Sequence, residues 1–141
     1  MTPAAAKPPV LWTAPAAPDA AGRPKLGTAL ARGLRGRCPH CGDGHLFTGW
    51  LHIRPICEAC AFPLGLIRAD DAPPYVVIFI TGHLVISAEV MLDRTTTMAL
   101  WTEAAIFLPL TLAMCMGLLR PVKGAIVGLM LHLGMVTPAD A

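Results

Sequence analysis

Apolar and polar positions are segregated along this chain rather than interleaved. Tyr75 to Leu92 (YVVIFITGHLVISAEVML) is a run of eighteen residues without Lys, Arg or Asp, and Leu100 to Leu119 (LWTEAAIFLPLTLAMCMGLL) is a second run of twenty. At about 1.5 Å of rise per residue, such helices extend roughly 27–30 Å, close to the hydrocarbon thickness of a bilayer. Pro73 and Pro74 mark the start of the first helix and Pro121 closes the second. The pattern therefore predicts membrane-spanning helices at 75–92 and 98–119, joined by a tight turn at Asp93 to Thr97. A buried helix pair in a soluble domain is disfavoured, because too little other chain remains to cover it.

The flanking segments read differently. Residues 1–22 hold five prolines and eight alanines without a usable hydrophobic period, so a disordered tail is expected there. Its prolines interrupt any apolar core that a signal peptide would need. Residues 23–37 carry Leu26, Leu30 and Leu34 among five basic residues and three glycines. They read either as a short amphipathic helix on anionic headgroups or as a basic linker. Residues 122–136 are apolar but short for a span, and Lys123 and His132 interrupt them. An interfacial or re-entrant helix is expected there, a third span being the alternative.

Composition supports the membrane reading. Of 141 residues 55% are apolar and 14% charged, against roughly 25% charged in an ordinary soluble domain; mean hydropathy is +0.59. Of the eleven Lys and Arg residues, only Arg94 lies between the two apolar runs. The positive-inside rule then places both termini in the cytoplasm. A net charge of +2 gives no global argument for nucleic acid, and the segment between the cysteine pairs carries only Arg54.

Those pairs are Cys38-Pro-His-Cys41 and Cys57-Glu-Ala-Cys60, separated by fifteen residues, a spacing typical of zinc sites. Two residues between cysteines let one tight knuckle aim both sulfurs at one ion, and two knuckles complete a tetrahedron. Gly42 suits the backbone turn after the first pair. Between the pairs, LFTGWLHI reads as short strands reversing at Gly49, so residues 38–72 are expected to form a zinc ribbon and its linker. Four thiolates leave no open coordination position, which makes the Zn²⁺ structural rather than catalytic. His40 and His45 are alternative ligands, with solvated loop positions the simpler reading. A pair of disulfides is the rival, and it requires an oxidising compartment that the charge asymmetry argues against.

Ionisable residues within a span are costly and invite a functional hypothesis. His83, Glu89 and Glu103 form a candidate intramembrane polar site. If the hairpin is symmetric about Thr96, Glu89 and Glu103 share one depth, where they either bind a cation or reach outward to headgroup water. His83 falls opposite Pro109, and Ser87 opposite the Ala105 carbonyl that Pro109 leaves without a donor; a small polar seam between the helices is expected there. A haem or copper ligand is the sharper reading of His83, a packing residue the blander one. Cys115 belongs to neither pair and reads as a packing residue.

Arg35-Gly-Arg-Cys-Pro-His-Cys-Gly, the LFTGWL segment, Cys57-Glu-Ala-Cys, Asp70-Asp71 before an apolar span, and Leu119-Arg-Pro-Val-Lys-Gly-Ala together resemble the bacterial domain-of-unknown-function family nine-eighty-three, over roughly Leu30 to Met135. The resemblance implies a small integral protein of the bacterial inner membrane with no assigned catalytic activity, whose family genes often neighbour those of haem–copper cytochrome oxidase subunits and assembly factors. The expectation is a small α+β membrane protein: zinc-ribbon β-knuckles, a two-helix transmembrane hairpin and a short C-terminal interfacial helix. The expected function is that of a non-enzymatic accessory or assembly protein of a membrane complex, with cytochrome c oxidase biogenesis the named possibility. Its expected partners are the lipid bilayer and a membrane protein such as an oxidase subunit or assembly factor, not nucleic acid. Handling of a metal cation or metallocofactor through the intramembrane Glu and His groups is the alternative. No complete nucleophile–base set, phosphate loop or open metal position supports an enzyme.

Overall fold

The computed structural model describes residues 22–67, 69–96 and 98–135; the tail expected at 1–22 lies outside them apart from Gly22. Three α-helices are present among these residues: α1 (Leu26–Leu34), α2 (Ala72–Asp93) and α3 (Leu100–Leu133). A single 3-10 turn lies at Leu64–Leu66.

α2 opens with Pro73 and Pro74 in its first turn, where a missing N–H costs nothing because no intrahelical acceptor faces it. At its other end Thr95 and Thr96 direct both their amides and both their hydroxyls to the Leu92 carbonyl, at 2.9–3.0 Å. The chain reverses there and α3 returns beside α2. α2 turns a narrow seam toward α3, burying only Pro73, Val77 and Thr81 at four-residue spacing. Much of the pair's remaining surface is apolar and exposed: Tyr75 is 73% accessible, Leu108 70% and Trp101 85%. Both helices are long and apolar enough to cross a membrane.

α3 does not stop where its apolar run stops. The separate interfacial or re-entrant helix expected at 122–136 is not formed; α3 continues without a break through Pro109 and Pro121 to Leu133. At 34 residues it is about 51 Å long, well beyond a bilayer core. Pro121 removes one backbone hydrogen bond, but packing beyond it carries the helix onward. Gly124, Val127, Gly128 and Leu131 are all buried. The helix ends at Gly134 in the left-handed region, with Gly134 N–H donating to Leu131 and Met135 N–H to Met130, the Schellman pattern.

α1 lies against this extension. Its buried residues are Ala29 and Gly33, whereas Leu26 and Leu34 are exposed. Leu26 and Leu34 thus stay clear of α3, and the small residues make the packing face. Ala29 and Gly33 meet Gly128 and Gly124, four residues apart on each helix, and the backbones come into direct contact. Small residues at this spacing let two helices approach this closely.

The segment between α1 and α2 wraps over the far end of α3. Cys38, Leu46, Phe47, Cys57, Phe62, Leu64, Ile67 and Ala69 share one buried cluster with Val127 and Leu131. The expected β-knuckle strands are absent among the described residues. They are reduced to two isolated antiparallel bridges, Arg37 with His45 and Phe47 with Ile53. The reversal at Gly49 (φ +88°) is present, closed by Thr48 N–H to His52 O at 2.7 Å. With the single Phe47–Ile53 bridge across this turn, the ladder is too short for strands. Burial against α3 orders the segment instead.

Candidate metal centre

Each cysteine pair sits in a tight turn of the same construction. In the first, Gly42 N–H donates back to Cys38 O at 2.8 Å, and Cys38 N–H donates to Gly44 O at 2.7 Å. In the second, Ala61 N–H donates to Cys57 O at 3.0 Å, and Cys57 N–H to Phe62 O at 2.9 Å. The residue after each second cysteine has positive φ, Gly42 at +90° and Ala61 at +55°. Ala61 adopts this conformation despite its side chain, a cost of order 1–2 kcal/mol that the surrounding knuckle must offset.

The two turns face one another. The Sγ atoms of Cys38, Cys41, Cys57 and Cys60 all lie within 4.8 Å of each other. Cys38 to Cys60 is 4.0 Å and Cys41 to Cys57 is 3.8 Å. A tetrahedron with metal–sulfur bonds of 2.3 Å has edges of about 3.8 Å, so the set fits one metal ion. All four cysteines are free thiols, their separations far from the roughly 2.05 Å of a disulfide.

Electrostatics favour filling the site with a cation. Burial raises the Cys38 thiol strongly, and burial also raises Cys60. Burial acts on Cys41 in the same sense, but amide donors from Gly44 and Asp43 and contacts with Cys60 and Cys38 outweigh it and hold Cys41 down at about 7. One thiolate is thus stabilised while its neighbours resist ionising beside it. A divalent ion at the centre removes that conflict. With four sulfur ligands the site is closed, and the metal would hold the two knuckles together rather than activate water.

Two supports escaped sequence reasoning. Arg32 reaches from α1 to the first knuckle, its Nη1 donating to the His40 carbonyl at 2.9 Å and the Pro39 carbonyl at 3.4 Å. Nothing local in the sequence distinguishes it from its basic neighbours. Gly44 is buried so closely that an added Cβ would lie 2.5 Å from Cys57 Sγ; the Cys-Gly-Asp-Gly run was its available signal. An ion pair between Arg54 and Glu58 flanks the second knuckle. His40 stacks nearly parallel on Phe62, with ring centroids 5.0 Å apart, and neither it nor His45 belongs to the ligand cluster.

The intramembrane candidates lie elsewhere. Glu89 and Glu103 line one groove of about 300 Å³ near the hairpin tip, with Leu100, Phe107 and Thr111. His83 does not join them. Its ring lies over Phe79 on the same helix, with Nδ1 2.8 Å from the Phe79 carbonyl. Ser87 and Ala105 are exposed, and the buried polar residue of α2 is Thr81. Cys115 is free and apart from the metal cluster.

No curated protein and no solved structure matches this chain. The family described as "Protein of unknown function (DUF983)" matches residues 47–131, narrower than the resemblance read from sequence and excluding the first knuckle. That match covers more than half of the chain, from Phe47 through the second knuckle and the helix pair to Leu131, and the chain belongs to that family.

Proposed function

We propose that this is a two-span protein of the bacterial inner membrane whose four-cysteine zinc module serves as a rigid docking platform for a membrane complex. The observation that carries the reading is the continuity of α3. One helix passes from an exposed apolar run into the core of the cysteine module, where Val127 and Leu131 pack with Cys38 and Cys57. Motion of the hairpin and motion of the platform are therefore mechanically linked. Zinc is the preferred ion because four thiolates in tetrahedral spacing suit it and it needs no redox partner. The basic residues flanking the hairpin put the module and both termini in the cytoplasm, where free thiols persist.

A non-enzymatic accessory or assembly role follows from the closed site, and subunits or assembly factors of a haem–copper oxidase are the partners to test first. Affinity-tagged protein extracted in mild detergent should recover such subunits at defined stoichiometry. Recovery of the tagged protein alone, with full zinc occupancy, would reject the oxidase role. A second reading, cation handling by Glu89 and Glu103, is favoured by their common groove. It predicts altered cellular metal content in Glu89→Gln/Glu103→Gln cells, and unchanged content would remove it.

A further inference from the structure

A second polar site lies where α3 leaves its apolar run. Arg120 is the first charged residue after Leu100–Leu119. If the helix pair spans the bilayer, as proposed above, that position lies at headgroup depth. The C-terminal end of α1 crosses it there. Leu34, Arg35, Gly36, Arg120 and Pro121 together line an open cleft of about 400 Å³.

The cleft carries unneutralised positive charge. Among the described residues the ion pairs are Arg54 with Glu58 and Lys123 with Asp70, and neither involves Arg35 or Arg120. Both arginines are exposed. The Arg120 guanidinium lies 5.5 Å from the centre of the Phe47 ring, a cation–π contact that orients it while its N–H donors remain available. Two such forks match the oxygens of a phosphodiester.

One wall is apolar. Leu34 is half exposed in the cleft, and on α3 the positions one and two turns before Arg120 are Met116 and Leu112, exposed by 49% and 65%. At four-residue spacing Leu112, Met116 and Arg120 lie on one face of α3. An apolar stripe thus leads from the arginines toward the middle of the span. This combination suits a ligand with an anionic head and a hydrocarbon tail.

We propose that this cleft binds an anionic glycerophospholipid, with Arg35 and Arg120 on its phosphate and an acyl chain along Met116 and Leu112. The site fixes the cytoplasmic end of α3, and with it the cysteine module, at the membrane surface.

The test is native mass spectrometry of the full chain in detergent, offered phosphatidylglycerol or phosphatidylcholine, with inorganic phosphate as a third probe. The intact protein should retain phosphatidylglycerol preferentially. Arg35→Gln and Arg120→Gln should each reduce that preference by about fivefold, the effect of one basic residue at an anionic surface. Arg37→Gln removes an exposed charge outside the cleft and should change it by less than about twofold. Should Arg120→Gln lose its metal through the Phe47 contact, Arg35→Gln decides alone. Equal retention of the two lipids, an equal loss in Arg37→Gln, or displacement of lipid by low-millimolar phosphate each overturns the proposal. Release of the protein from membranes by alkaline carbonate overturns both this proposal and the membrane reading beneath it, whereas an embedded protein without lipid preference overturns only this one.

Discussion

Gly33 of α1 and Gly124 of α3 meet backbone to backbone. A Cβ on either would overlap the main-chain carbonyl of the other. This contact, with Ala29 against Gly128 one turn away, sets how deeply α1 seats on α3. Because α1 leads directly into the first knuckle, it also positions Cys38 and Cys41.

The first prediction follows from that geometry. Gly33→Ala and Gly124→Ala should each destabilise the cysteine module by about 1–3 kcal/mol, the usual range for overpacking. Release of bound zinc on heating the detergent-solubilised protein reports it. Gly27, also in α1, has open space around it, and Gly27→Ala should be neutral or slightly stabilising. Equal effects at all three positions would show that the close contact does not control the module.

The purified protein should carry one zinc per chain. Cys38→Ser and Cys57→Ser, one from each knuckle, should both lose it, as measured by metal analysis after passage over a weak chelator. Full occupancy in both variants would contradict a four-cysteine site.

Zinc affinity should fall steeply as pH falls. Cys38 and Cys60 have raised pKa values and stay protonated at neutral pH, while only the thiolate ligates. Binding must then expel their protons, so rising pH favours the metal and acid removes it. Cys41, held at about 7, adds to this dependence as pH drops below neutrality. Competition with a chelator of known proton affinity should give at least about two protons released per ion near pH 7. A slope near zero would show that the thiols are already ionised in the metal-free chain.

Arg32→Ala removes both hydrogen bonds that Arg32 Nη1 donates to the first knuckle's carbonyls. Hydrogen bonds from a charged group contribute roughly 1.5–3 kcal/mol, and partial exposure of Arg32 places the effect at the lower end. Zinc transfer to a chelator should accelerate by about tenfold, while Lys25→Ala, at an exposed position just before α1, leaves it unchanged. An unaltered transfer rate in Arg32→Ala would assign these contacts no structural role.

The hairpin tip should face away from the cysteine module. A Thr95→Cys variant should react with a membrane-impermeant maleimide in right-side-out spheroplasts. The reverse accessibility, labelling in inverted vesicles alone, would invert the proposed topology.

The local sequence determined the features that depend on local chemistry. Two apolar runs predicted two helices because a helix satisfies its backbone internally, whatever surrounds it. Pro73 and Pro74 marked a helix start because φ is preset and no donor is needed there. The cysteine spacing predicted a tetrahedral cluster because a two-residue knuckle constrains where its sulfurs point, and counting outward from the turn pairs Glu89 with Glu103, which line one groove.

What only the tertiary structure decided was every competition between distant segments. Pro121 marks a helix end by local rules, yet packing against α1 and the cysteine module carries α3 through it to Leu133. The leucines of α1 suggest a face for headgroups, but nothing local marks Ala29 and Gly33 as the face that packs, because their partners Gly124 and Gly128 lie on α3. The strands expected around Gly49 shrink to single bridges, since burial on α3 orders the segment without a ladder. Arg32 is one of several arginines until the fold sets it against the His40 carbonyl. In each case the deciding partner lies far away in the chain, where no local pattern records it.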